Sequence, residues 1–340
     1  MRVAVLMGGR SSEHEVSLAS ARSVLETLDP DRYDAVPVEI APDGSWALAN
    51  GERRELVGSS RGGSRELVPV TEAGMPATLA DVDVVLPILH GPFGEDGTVQ
   101  GLLELAGIPY VGAGVAASAL CMDKDLFKAV MRDRGVPVTR SVTLRAGDDV
   151  TNPFGYPVFV KPARLGSSVG VSKARTPEEL ERAVALAFRH DDKVLIEEFV
   201  DGVEVECSVL GNRDPVASTP GEIVAHGFSG ADWYDYSAKY DEGGMDLVVP
   251  PRLPQETIER VRDVARRSFV AADCEGMARV DCFVRNGEVL VNELNTIPGF
   301  TSTSVYAKLF EASGVPYAEL LDRLIELARE RHERRSRLRY

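Results

Sequence analysis

RVDCFVRNGEVLVNELN (Arg279–Asn295) reads as two strands, Gly276–Arg285 and Glu288–Glu293, folded about Asn286–Gly287. That dipeptide suits a two-residue hairpin turn. Side chains alternate faces along a strand. Arg279 and Asp281 are two apart and share a face, as do Glu293 and Asn295. Closing the hairpin sets the pairs side by side, so two carboxylates, an amide and a guanidinium form one patch. Hard cations such as Mg2+ take oxygen ligands and keep substrate phosphates in their shell. An ordinary charged strand pair is the plainer alternative. The apolar flanks Val280, Leu290, Val291 and Leu294, and the crowding of like charges, speak against it.

Working outward, Val3–Met7 reads as a buried parallel strand entering Gly8–Gly9. A helical pattern follows over Ser17–Leu28, then strands at Tyr33–Ile40 and Val82–Leu89. Glycines at strand ends suggest an open α/β sheet with a site at its carboxyl edge. Gly51–Ala77, rich in Gly, Ser, Arg and Glu, reads as a loop or hairpin excursion. A second unit begins near Gly112, with a helix over Ser118–Arg134, strands at Val158–Lys161 and Val194–Phe199, and a helix at Pro177–Arg189. A third, from about Gly202, holds a strand at Val203–Leu210, the hairpin, and helices at Gln255–Ala272 and Tyr317–Arg331. The expected domains are therefore 1–113, 114–200 and 201–340, which accords with about 150 residues per domain in a chain of 340.

Four further clusters carry chemistry. VKPARLGSSVG (Val160–Gly170) puts Lys161 at a strand end before a Gly/Ser loop that lets backbone N–H groups approach phosphate. It lacks Walker A spacing, and a plain turn competes with this reading. IEEFVDGVEVE (Ile196–Glu206) offers Glu197 and Glu204 as acceptors for an adenine amino group or ribose hydroxyls; taken alone, solvated acids at a domain junction are the better reading. GGRSSEHEVS (Gly8–Ser17) is a glycine turn into a helix N-terminus, where Glu13 could meet an ammonium or compensate the helix dipole. HGPFGEDGT (His90–Thr98) is a glycine-studded loop whose His90 either contacts substrate or caps the loop.

The net charge of −15 argues against a nucleic-acid binder, since phosphate backbones need a basic face. The four scattered cysteines, Cys121, Cys207, Cys274 and Cys282, form no CxxC pair and read as reduced thiols. The run Val3–Met7 is too short for a signal-peptide core, and no apolar run approaches membrane-spanning length. A cytoplasmic chain without a membrane partner is expected. The basic stretch Arg329–Arg339 reads as a solvated helix end.

These clusters, in this order and over nearly the whole chain, resemble the D-alanine–D-alanine ligase family of the ATP-grasp superfamily. The likeness runs through GGRSSEHEVS, HGPFGEDG, MDK (Met122–Lys124), VKPARLGSSVG, LIEEFVDGVE, YDYSAKY (Tyr234–Tyr240), ARVDCF and NELNTIPGFTSTS (Asn292–Ser304). The resemblance implies a three-domain ATP-grasp fold of α/β (α+β) class, with an N-terminal open parallel-sheet domain. Lys124, Lys161, Lys239 and Ser168 then fall on the ATP phosphates, Glu197, Glu198 and Val200 on the adenine strand, and Glu204 on the ribose. Many members carry lysine where this chain has Glu198, a change that a backbone contact survives. Asp281, Glu293 and Asn295 match ligands of two Mg2+ ions, with Mn2+ as a substitute. Glu13, His90, Ser167, Arg279, Gly299 and Ser304 match positions around two D-alanines. Lys239 and Tyr240 resemble residues of a mobile loop, here about Glu222–Gly244, that closes over the site. A homodimer is implied as well.

The implied reaction is ADP-forming ligation of two D-alanines for peptidoglycan precursors through an acyl phosphate. Glu13, Ser167, Tyr240, Arg279 and Gly299 would be the catalytic set. Other readings are a D-alanine–D-lactate ligase of the vancomycin-resistance type, another ATP-grasp carboxylate–amine ligase, and a nucleotide-binding regulator without catalysis. The lactate enzymes generally carry histidine where this chain has Tyr240, and the regulator predicts erosion of the hairpin residues, which are all present.

Overall fold

The computed structural model describes residues 1–48, 79, 81–225 and 245–339. The Gly51–Ala77 excursion expected from sequence lies outside the described residues, as do Lys239 and Tyr240.

The first unit is β1 (Arg2–Gly8), α1 (His14–Thr27), β2 (Asp34–Ile40), β3 (Trp46–Leu48), β4 (Val84–Pro87) and α2 (Thr98–Ala106). Its sheet runs β3-β2-β1-β4, with β1 parallel to both neighbours and β3 antiparallel at the edge. The uninterrupted apolar run of β1 is explained by cover on both faces. Val3 and Val5 pack with Ala21 and Val24 of α1, while Ala4 and Leu6 pack with Val99 and Leu103 of α2.

Next come α3 (Val115–Met122) and α4 (Lys124–Asp133). The single helix expected over Ser118–Arg134 is thus two. Asp123 breaks it, taking an extended conformation and capping α4 by accepting from Leu126 N–H at 3.2 Å. The break starts a new helix at Lys124.

A four-stranded antiparallel sheet follows: β5 (Ser141–Arg145), β6 (Val158–Pro162), β7 (Ser172–Ala174) and β8 (Lys193–Glu198), in the order β5-β8-β6-β7. It is backed by α5 (Pro177–Ala187), which has Pro at its start and Thr176 as its cap. The last sheet holds β9 (Val203–Gly211), β10 (Val216–Ala217), β11 (Gly221–Ala225), β12 (Met245–Val248), β13 (Gly276–Arg285) and β14 (Glu288–Asn295). Its order is β12-β11-β9-β13-β14, with β10 beside β9. It is joined by α6 (Gln255–Ala271), α7 (Val305–Ala312) and α8 (Tyr317–Ser336).

Packing crosses the sequence divisions twice. Phe127 and Met131 of α4 enter the core of the last sheet with Val205, Val280 and Val291. Helix α8 returns to the first sheet, where Leu320, Leu324 and Ile325 join Val3 and Val5. Near its end Arg331 is 3% exposed. Its guanidinium donates to the carbonyls of Tyr110 (2.6 Å) and Gly112 and lies 4.2 Å from the Tyr110 ring centroid. Arg331→Met would strand two buried carbonyls. It should cost about 2–4 kcal/mol, read as a lower urea midpoint; an unchanged midpoint would show that this clamp contributes nothing.

Candidate active site

The hairpin forms as its sequence requires. Asn286 and Gly287 sit at φ 53° and 79°, the left-handed values of a two-residue turn. Arg279 pairs with Asn295 and Asp281 with Glu293, and the register shifts only beyond Asp281. All four side chains therefore share one face. Arg279 clasps Asp281 with Nε and an NH2 group, both at 2.7 Å, and Asn295 Nδ2 donates to Asp281 at 3.0 Å.

A residue not assigned from sequence completes this cluster. Glu206 of β9 lies opposite Asp281 and meets Arg279 Nε at 2.7 Å. Burial alone would lower the Arg279 pKa, but the Asp281 and Glu206 carboxylates outweigh it and raise it well above its ordinary value. The alternation Glu204–Glu206 in β9 was the available signal, but only the strand register reveals the partner.

Lys124, placed by the break at Asp123, donates to Leu165 O at 2.8 Å and lies 3.3 Å from Glu293. Lys161 leaves β6 toward Glu197 at 2.8 Å and Asn292 at 3.2 Å. Glu197 is buried, in contrast to the solvated acid favoured when its motif was read alone. Its other oxygen accepts from Thr139 and, at 3.2 Å, from Lys128. Lys128 is fully buried, and that burial lowers its pKa to about 8. Sequence reading missed it because a lysine in an amphipathic helix ordinarily faces solvent. Glu198 turns its carboxylate to Arg140, accepting from its backbone N–H (2.9 Å) and guanidinium (2.7 Å).

Two cavities result. One, of about 490 Å3, lies between the two antiparallel sheets and is lined by Phe159, Lys161, Glu197, Val200, Glu204 and Phe283, with Ser168 at its loop. The other, of about 610 Å3, is lined by Glu13, His90, Arg279, Asn295, Gly299 and Ser304. They share Gly166, Ser167 and Glu293 as a common wall. At that junction Ser167 and Ser168 adopt left-handed φ values of 50° and 58°, uncommon for residues other than glycine. Ser167 Oγ donates to Glu13, tying the loop after β6 to the start of α1.

His90 is buried, with Nδ1 2.9 Å from Ile297 O and Nε2 3.2 Å from Ser20 Oγ. A substrate contact through either nitrogen would have to displace one of these partners. Glu95 accepts from Gly91 N–H (3.0 Å) and Ile297 N–H (3.3 Å). Burial, reinforced by Glu13, pushes its pKa up to about 8. Ser304 Oγ accepts from Thr301 N–H at 3.0 Å beside Gly299.

An open parallel-sheet domain followed by two antiparallel sheets that grip a polar cleft defines an ATP-grasp ligase. Residues 2–113 match the family model for the D-ala D-ala ligase N-terminus, and residues 130–326 match that for the C-terminus. The chain is 43% identical to a D-alanine–D-alanine ligase of Caldicellulosiruptor bescii, covering 100% of this chain and 98% of that protein. The D-alanine-D-alanine ligase of Coxiella burnetii superposes with a TM-score of 0.84 at 37% identity, covering 99% and 96% of the two chains. VanG, a D-Ala:D-Ser ligase of Enterococcus faecalis, superposes with a TM-score of 0.81 at 36% identity, covering 96% and 99%. The chain belongs to the D-alanine–D-alanine ligase family.

The pairing of Glu197 has a pH consequence. Burial alone would raise its pKa, but Lys128 and Lys161 bring it from 4.5 down to about 2. A carboxyl depressed in the folded state adds stability above its unfolded pKa and loses it as pH falls toward the folded value. Glu197→Gln should therefore be less stable at neutral pH and flatter in stability between pH 4.5 and about 2. Parallel stability curves for the two proteins across that window would contradict a charged Glu197.

Proposed function

We propose that the chain couples ATP cleavage to ADP with the joining of two D-alanines, and that the junction at Ser167 and Glu293 is where phosphoryl donor and acceptor meet. The observation that carries this reading is the shared wall of the two cavities. One suits a nucleotide, with apolar walls and lysines; the other suits two small zwitterions, with a carboxylate, a guanidinium and backbone N–H groups.

A carboxylate is a poor acceptor for an amine because oxide leaves badly. Glu13 would take the ammonium of the first D-alanine, presenting its carboxylate to the γ-phosphoryl group of ATP. Transfer gives an acyl phosphate and ADP. The amine of the second D-alanine attacks the acyl carbon, and the tetrahedral oxyanion falls to Arg279 and Gly299 N–H. Collapse forms the peptide bond and expels phosphate. Ser304 and the loop bearing Lys239 and Tyr240 would hold the second substrate and exclude water. Lys124, Lys161 and Lys239 would offset phosphate charge, Ser168 would present its loop, and Glu197, Glu198, Val200 and Glu204 would flank the base and ribose.

Asp281, Glu293 and Asn295 offer an oxygen-rich donor set on one face, which fits hard divalent cations. They would hold two Mg2+ ions, or Mn2+, which when bound supply charge neutralisation to the phosphates. The presence of Arg279, Asp281, Glu293 and Asn295 on one face opposes a regulator that has lost catalysis. The activity would serve peptidoglycan precursor synthesis in the cytoplasm.

ADP release should require D-alanine, ATP and Mg2+, with D-lactate, D-serine and L-alanine poor replacements; silence with D-alanine would end this reading. Chelation should abolish turnover, and Mg2+ should restore it. Arg279→Met should lower kcat by roughly 10²–10³-fold, the usual scale for loss of one oxyanion donor. Tyr240→Phe should shift the D-alanine over D-lactate preference, and an unaltered ratio would remove Tyr240 from second-substrate selection.

A further inference from the structure

Ser20 has no part in the roles above. It lies on α1, 1% exposed, in the wall of the substrate cavity. Its Oγ is 3.2 Å from His90 Nε2 and accepts the N–H of Phe300 at 3.3 Å. The other ring nitrogen, Nδ1, is 2.9 Å from the carbonyl oxygen of Ile297. A carbonyl oxygen can only accept, so Nδ1 carries the proton. Burial lowers the His90 pKa, which keeps the ring neutral and leaves Nε2 as an acceptor. The Ser20 hydroxyl therefore donates to Nε2, and its lone pair receives Phe300 N–H. Ile297 O, His90, Ser20 and Phe300 N form a closed relay around Pro298–Gly299 in which every donor has an acceptor.

The relay frames one group. Ile297 N–H is held by Glu95 at 3.3 Å, and proline has no N–H. Within 297–300, Gly299 N–H is the one backbone donor without a protein partner among the described residues, and Gly299 lines the cavity. We propose that Ser20 is a positioning residue, acting through His90 to aim Gly299 N–H at the oxyanion of the tetrahedral intermediate. This rests on the ligase reading above. It also gives His90 a role that needs no contact with substrate.

The test begins with Ser20→Ala in the full chain. Because the oxyanion exists only after binding, kcat for D-alanine-dependent ADP release should fall roughly 10–100-fold, while KM for ATP stays within about twofold. Ser20→Thr, which keeps the hydroxyl, should restore most of kcat. An unaltered kcat in Ser20→Ala, or a loss that threonine does not restore, overturns the proposal. Nitrogen-15 NMR of the wild-type imidazoles, with His90 assigned by comparison with His90→Asn, decides independently, even if neither Ser20 variant folds. A proton on Nδ1 and a bare Nε2 support the relay; a proton on Nε2 sinks it. Failure of the wild type to turn over D-alanine would remove the ligase reading while leaving the tautomer result intact, so the two failures are distinguishable.

Discussion

The clasp between Arg279 and Asp281 is the constraint around which the rest is arranged. A guanidinium taken out of water must be paired and hydrogen-bonded. Here β13 supplies both the cation and one carboxylate, and β9 supplies the second, Glu206. With Glu293 and Lys124 included, three carboxylates face two cations at this end of the cleft. At the other end, Lys128 and Lys161 pair with Glu197, and Glu204 and Glu293 also act on Lys161. The hairpin end therefore carries a negative surplus where the reacting groups would meet. Such a field suits a polyphosphate whose far end is neutralised by divalent ions, and it leaves the hairpin electrostatically incomplete without them.

Much of this was legible because it is local. The Asn286–Gly287 turn and the two-residue alternation of β13 and β14 define one face without reference to other elements. The glycines at Gly8–Gly9 and the apolar run of β1 likewise signal a covered parallel strand. The resemblance, carried by ordered motifs, added the assignment of that face to phosphate chemistry.

What was not legible depends on partners distant in sequence. Glu206 differs from any strand glutamate only through the strand beside it. Lys128 on α4 gains its meaning from Glu197 on β8, and Ser20 from a histidine and a loop that the chain reaches much later. The helix over 118–134 read as continuous because Asp123 is compatible with a helix interior by propensity. Its role as an N-cap depends on α4 turning away to bring Lys124 over the cleft. The return of α8 to the first sheet has no local signature, since an amphipathic helix does not name the surface it will cover.

That return matters for the chemistry. Glu13 and His90 belong to the first unit, whereas Arg279 and Gly299 belong to the last, and acyl transfer tolerates misplacement of only about 1 Å before the rate falls. Helix α8 packs on β1 at its start and holds the Tyr110–Gly112 carbonyls near its end, so it fixes the first sheet where the chain leaves it. The seam at Ile297–Phe300 then registers the loop after β14 to His90, Glu95 and Ser20. The substrate cavity is lined from all three units, and these two sets of contacts make the walls from the first and last of them one frame. The left-handed turn at Ser167 and Ser168 is held against Glu13 within that frame. Its uncommon backbone is therefore maintained from outside the loop, as expected where a loop must lie between phosphoryl donor and acceptor without blocking either.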